Sequence, residues 1–114
     1  MSYDVTIGDF ESNMTSNVAK LFYDHIPDTG KGGGLHELHG MTGAQCVEIL
    51  CEAFDRINST RHKLWKNGTV GEPEFCALYD AQNGWGSTVG ALTFLAQILG
   101  GCARNRRHKL RLSA

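Results

Sequence analysis

Thr42-Gly-Ala-Gln-Cys-Val-Glu-Ile-Leu-Cys-Glu-Ala-Phe-Asp-Arg-Ile-Asn-Ser-Thr-Arg-His-Lys-Leu-Trp-Lys66 is the stretch that decides the fold. Its first four residues have the form of a capping box, in which the Thr42 hydroxyl and the Gln45 side chain satisfy each other's exposed backbone amides. Val47, Leu50, Phe54, Ile57 and Leu64 then recur at helical spacing on one stripe, while Glu48, Glu52, Asp55 and Arg56 fall away from it. The pattern predicts a long amphipathic helix over 42–66, ended by Asn67-Gly68. A helix of this kind needs partners for its apolar face, and the flanking sequence supplies them.

Toward the C-terminus, Glu72-Pro73-Glu74 opens a short helix, because proline loses no hydrogen bond at the first helical position and acids suit the positive end of the dipole. Phe75, Leu78 and Tyr79 are its expected buried side. Asn83-Gly-Trp-Gly-Ser87 then reads as a turn into a last helix that runs from Trp85 or Ser87 to Ala103. On that helix Val89, Leu92, Ala96, Leu99 and Ala103 make one stripe, and Ala91, Phe94, Leu95, Ile98 and Cys102 widen it to most of the circumference. A helix apolar nearly all round is expected at the centre of a core, although Gly100-Gly101 weakens its end. Lys109-Leu-Arg-Leu112 alternates as a strand, Leu110 and Leu112 inward and Lys109 and Arg111 outward.

Toward the N-terminus lies Asp28-Thr-Gly-Lys-Gly-Gly-Gly34, a flexible surface loop by its glycine content. Before it, Val18, Leu21, Phe22 and Ile26 fit a short helix capped by Thr15 or Ser16 and stopped by Pro27. Residues Tyr3 to Phe10 alternate, with Tyr3, Val5 and Ile7 on one face and Asp4 and Thr6 on the other, as a half-buried strand does. Pairing this strand with the C-terminal one would set Asp4 on the same outer face as Lys109 and Arg111. Two strands alone are marginal, so they must pack on the helices or extend across a dimer. The fold class is therefore α+β: a small core of about four helices, two of them long, with a small sheet joining the chain ends, in a single domain over 1–114.

The 114 residues are 41% apolar and 20% charged, which excludes a disordered tail protein. No apolar run approaches the roughly 20 residues of a membrane span, so no membrane partner is expected. Met-Ser-Tyr-Asp-Val at the start lacks the features of a signal peptide, which points to the cytoplasm. The net charge of −1 conceals a division. Residues 1–80 hold all 12 acids and sum to −6, whereas 81–114 hold Arg104, Arg106, Arg107, Lys109 and Arg111, no acid, and sum to +5. This asymmetry has two readings: a basic patch for phosphates, or a basic end that folds back on the acids of its own chain. The second is the simpler expectation.

Cys46, Cys51, Cys76 and Cys102 have no C-x-x-C spacing, and all four read as buried thiols. On a helix Cys46 and Cys51 point about 140° apart and cannot share a metal. The glycine loop departs from a phosphate-binding loop, since Lys31 is followed by Gly32 rather than a hydroxyl residue and a helix precedes it. His36-Glu-Leu-His39 sets two imidazoles at i and i+3 with no obvious third ligand, a weak metal candidate. No cofactor is expected. Trp85, with Asn83 in the same turn, is the best candidate for an aromatic partner anchor, and Trp65, beside Lys63 and Lys66, is a second.

Several segments together resemble a group of small proteins, without assigned activity, that are encoded by actinobacterial phages and some of their hosts. The resemblance is carried by Tyr3-Asp-Val-Thr-Ile-Gly-Asp-Phe10, Thr15-Ser-Asn-Val18, Gly34-Leu35 running into Leu38-His-Gly-Met-Thr-Gly43, and Asn83-Gly-Trp-Gly-Ser87. Gly90-Ala91, Phe94-Leu95 and a basic strand near Leu110 to Ala114 complete it over nearly the full length. The Asn-Gly-Trp-Gly turn is its most specific part. It implies a phage or prophage origin and an intracellular site of action, and it implies no catalytic residues. Three functions follow in order of expectation. The first is a non-enzymatic phage accessory protein that binds a host protein or self-associates as a homo-oligomer in the host cytoplasm. The second is a nucleotide or nucleic-acid binder through the basic C-terminal residues. The third is a metal-dependent enzyme using His36 and His39.

Overall fold

The computed structural model describes residues 2–66, 72–81, 84 and 86–114, without the side chains of 64–66 and 72–74. Two strands, β1 (Ser2–Ile7) and β2 (Phe10–Thr15), lead through a 3-10 turn at Ser16–Val18 into helix α1 (Ala19–His25). A second 3-10 turn, Gly34–Leu38, precedes α2 (Gly43–Lys66), α3 (Glu72–Tyr79), α4 (Thr88–Arg104) and β3 (Arg111–Ser113). The sheet is antiparallel in the order β2-β1-β3, so the chain ends are joined through β1 at its centre. The architecture is α+β, with four α-helices and three strands among the described residues.

The N-terminal alternation holds: Tyr3, Val5 and Ile7 are buried, and Asp4 and Thr6 are exposed. Phe10, however, does not end the first strand. Gly8, at φ 58°, turns the chain, and Phe10 pairs back with Ile7 to begin β2. A two-residue hairpin turn with glycine first satisfies the positive φ that strand twist demands. Asn105 packs into the space where a Gly8 side chain would sit, its Oδ1 well inside van der Waals contact of the position a Cβ would take. Its amide also donates to Gly101 O and Asp9 Oδ1, so the hairpin turn is pinned to the C-terminal end of α4.

The capping box forms as expected: Thr42 N donates to Gln45 Oε1 at 3.0 Å and Gln45 N donates to Thr42 Oγ1 at 3.3 Å. The buried line of α2 is Cys46, Leu50, Ala53 and Ile57, with Val47 and Phe54 at its margin. Burying an aliphatic side chain of this size stabilises the fold by about 1.5–3 kcal/mol. α2 packs on α4, and Gly43 makes that approach possible, since a Cβ there would lie 2.3 Å from Asn105 O and 2.5 Å from Cys102 O. Gly101 does the same beneath β2, where the Phe10 ring sits 2.5 Å from the position of its missing Cβ. The glycine therefore does not end α4; it admits a ring.

Three burial expectations are corrected. Leu78 of α3 is 52% exposed, because the core meets α3 along Phe75 and Tyr79 and Leu78 projects outside that line. Cys51 is exposed and Cys76 half-buried, and only Cys46 and Cys102 are buried. Cys51 lies on the solvated side of α2, about 140° from Cys46. On α4, the core takes Ala91, Phe94, Leu95, Ile98 and Cys102. The stripe of Val89, Leu92, Ala96, Leu99 and Ala103 faces outward: Val89, Ala96 and Ala103 are exposed and the two leucines half-buried. The faces with the larger side chains went inward, where each buries more apolar area.

No helix of the described residues is long and apolar enough to cross a membrane.

Candidate functional site

The aromatic anchors lie mostly beyond what is described. Trp85 and Asn83 are outside the described residues, and Trp65 sits on α2 with its side chain also outside them. Gly84, between the first two, has φ 79° and is exposed, and its amide donates to Ala81 O at 3.1 Å. Ser87 caps α4 by accepting from Gly90 N at 3.0 Å.

The two candidate metal imidazoles are engaged in different tasks. His39 Nδ1 accepts a hydrogen bond from Leu112 N at 3.0 Å, which ties the 3-10 turn to the strand β3. The His36 ring stands edge-on to Tyr3 at 6.1 Å and tilted against Tyr23 at 6.4 Å. Among the described residues no three His, Cys, Asp or Glu groups come together in a way that could hold a metal ion.

The glycine loop is organised about Glu37, a feature that the sequence reading missed. Glu37 is 1% exposed and its carboxylate accepts from Thr29 N at 2.9 Å, Lys31 N at 3.1 Å, Gly33 N at 3.0 Å and the Thr29 hydroxyl. The Thr29 hydroxyl, with these three amides, holds the carboxyl down at about 2 against the opposing effect of burial. Asp28 Oδ1 accepts from Gly30 N and Gly32 N, and Lys31 Nζ donates to His39 O at 2.8 Å. The amides that resemble a phosphate cradle are therefore occupied by a carboxylate of the same chain. The sequence signal was a lone acid set between Leu35 and Leu38, both buried.

Elsewhere the titratable groups brace the core. Burial pushes the Tyr3 hydroxyl up to about 12, helped by neighbouring Tyr23. Burial, and then the bond that it donates to Asp24 at 2.9 Å, raises Tyr79 as well. Burial works against ionisation of Asp24, but hydrogen bonds from Lys20 and Tyr79 hold it below the usual aspartate range. Asp80 is lowered by the Thr88 amide and then the Thr88 hydroxyl, each at 2.7 Å, which pins the start of α4 to the end of α3. The buried Cys46 thiol is pushed up by its hydrogen bond with Cys102 and by desolvation, so it is inert as a nucleophile.

The basic end is the candidate region that the structure does assemble. Arg104, Arg106, Arg107, His108, Lys109 and Arg111 are all exposed. The pairing of Thr6 with both Glu11 and Arg111 puts those two charges on the outer sheet face, on either side of β1. Among the described residues, however, the ion pairs are Lys20 with Asp24 and Arg56 with Glu52, and none includes the basic end. The expected folding of these cations onto acids of the same chain is not what holds them. Arg104 instead lies in the last turn of α4, where the negative end of the helix dipole favours a cation. Comparison of the chain with protein families, curated proteins and solved structures finds no match.

Proposed function

We propose that this is a non-enzymatic interaction protein that self-associates through the outward stripe of α4. The setting that the sequence resemblance implies is a phage or prophage accessory protein in the host cytoplasm. One observation carries the reading: α4 has two apolar stripes, and the fold buries one and covers the other only in part, through the half-buried Leu92 and Leu99. The outward stripe, Val89, Leu92, Ala96, Leu99 and Ala103, has the alternating three- and four-residue spacing by which two helices pack side by side. Val89 at its start is 64% exposed. From Thr88 to Ala103 the helix carries no charged residue. A second copy related by a two-fold axis therefore meets no like charge along the seam, and the alanines allow close approach.

The test is the mass of the purified protein in solution by sedimentation equilibrium. The wild-type chain is expected to be dimeric or larger at about 100 μM, a concentration at which even weak association is populated. Ala96→Glu sets two carboxylates against each other in the seam and should weaken association at least about tenfold, equivalent to ~1.4 kcal/mol. Since Ala96 is exposed in the monomer, its far-UV spectrum should be unchanged, as should its melting temperature at a concentration low enough for both chains to be monomeric. A wild-type chain that stays monomeric at that concentration ends the proposal.

A further inference from the structure

Residues 105–110 form an irregular segment whose backbone is tied down at Asn105, Arg106, His108 and Leu110. Arg106 O and His108 O accept the first amides of α2, from Ala44 at 3.1 Å and Gly43 at 2.8 Å. Leu110 exchanges bonds with Met41 O and Gly40 N, both at 2.8 Å, and His108 N donates to Asn105 O at 3.1 Å. Leu110 is buried beneath the segment as its apolar anchor. The backbone is thus held in place before any ligand arrives, and its cationic side chains are left to solvent.

Beside this segment, at the end of β1, is a groove of about 350 Å³ lined by Thr6, Ile7, Gly8, His108, Lys109 and Arg111. That volume is at the small end of ligand sites. Its lining has two cations, an imidazole, a hydroxyl and a glycine backbone, and no acid. Acids adjoin it without lining it: Asp9 follows Gly8 and accepts from the Asn105 amide, Glu11 pairs with Thr6 across β1 from Arg111, and Asp4 shares the exposed face of β1. Arg106 and Arg107 extend the positive charge along the adjoining turn.

We infer that this groove, between the end of β1 and the basic segment, is a phosphate-binding site that takes the backbone of a nucleic acid. Arginine and lysine around an exposed threonine hydroxyl suit the oxygens of a phosphate ester, which accept from several donors at once. A run of phosphates uses Arg106 and Arg107 as well as the groove, whereas a single phosphate does not. A lipid surface fits less well, because adsorbed basic segments add apolar side chains that enter the bilayer. Here Leu110 is buried and Leu112 half-buried. This site is separate from the α4 stripe and does not depend on self-association.

The experiment is fluorescence anisotropy of labelled duplex DNA titrated with the full chain, beside a labelled adenine nucleotide and vesicles containing phosphatidylserine. Duplex DNA should bind with a micromolar Kd at about 25 mM salt. With about three phosphates neutralised, affinity should fall on the order of a hundredfold or more by about 200 mM salt. Lys109→Glu with Arg111→Glu should weaken binding more than about tenfold, while Lys63→Glu on α2, an exposed cation far along the chain, should not. Because Arg111 lies in β3, Arg106→Glu with Arg107→Glu is the parallel variant, and melting curves verify that each is folded. If the nucleotide alone binds as tightly as the duplex, the phosphate site stands and the nucleic-acid assignment falls. No DNA binding at low salt, an equal loss in Lys63→Glu, or binding to vesicles in place of DNA overturns the inference.

Discussion

Two stretches, the glycine loop with its 3-10 turn at 28–38 and the basic stretch from the end of α4 to the start of β3 at 104–111, carry local charge and use it in opposite ways. In the first, amides of Thr29, Lys31 and Gly33 and the Lys31 ammonium all bond groups of the same loop and turn, with the Glu37 carboxylate at the centre. In the second, the backbone bonds α2 and the chain around Met41, and the charged side chains form no ion pair among the described residues. Charge that is consumed internally belongs to the fold. Charge whose backbone is fixed but whose side chains are free is available to a partner, because the ordering of the chain has already been met by folding.

The comparison breaks most severely if the basic segment loses its seat. Gly43→Val puts a side chain where Asn105 O and Cys102 O lie within 2.5 Å, and both are backbone atoms that cannot swing aside. The expected cost is about 3 kcal/mol or more in urea denaturation, since overpacking of this kind displaces backbone. The next effect comes from the other segment. Glu37→Gln removes the charge about which the loop is folded, and the urea midpoint at neutral pH should fall clearly. The pH dependence has a definite sign. The Glu37 carboxyl titrates at about 2 when folded, against an ordinary value of 4.5, so it favours the folded state above 4.5 and that contribution is lost as pH falls toward 2. Urea midpoints measured across this window should decline in the wild type and decline less in Glu37→Gln; equal slopes would mean that the loop does not depend on the charge.

These two segments also show what can be read from a sequence. The capping box at Thr42 and the burial alternation at both chain ends are local patterns that survived into the structure, although the C-terminal strand is Arg111–Ser113 and not Lys109–Leu112, because the backbone of Leu110 bonds to Gly40 and Met41 before the chain reaches the sheet. β2 was missed because Phe10-Glu-Ser-Asn-Met-Thr15 has little strand preference of its own. It is held by contacts far along the chain, Phe10 over Gly101 and Met14 near Gly90. On α4 both stripes were apolar, so periodicity alone could not say which would face α2. The phosphate candidates Arg106, Arg107, Lys109 and Arg111 were visible as a charge imbalance. Their groove was not, because Thr6 and Gly8 come from the other end of the chain and join them only through the sheet. The Glu37 site was hidden for a related reason: a carboxylate four to eight residues beyond the amides from which it accepts has no spacing signature.

A smaller effect sharpens the contrast at the point where α2 meets the basic segment. Thr42 both caps α2 and bridges to Lys109. Thr42→Ala removes the side-chain cap and leaves the bridge, so stability should drop by about 1 kcal/mol, the usual value of an N-cap. Nucleic-acid affinity should be unaffected when measured well below the melting temperature. A loss of affinity without unfolding would show that the cap itself orients the groove.

The smallest expected effect tests the comparison most directly. Arg106→Glu with Arg107→Glu reverses two charges on a turn whose backbone is bonded through Arg106 O to Ala44 N. If the cations of this segment are spare, the reversal should change folding stability by less than about 0.5 kcal/mol, as for surface substitutions that break no specific contact. A larger loss in the urea midpoint, restored by high salt, would mean that these arginines are paired with acids of their own chain in solution. The two segments would then be alike at this turn, each closed on its own charge, and only Lys109 and Arg111 in the groove at the end of β1 would be left to hold a phosphate.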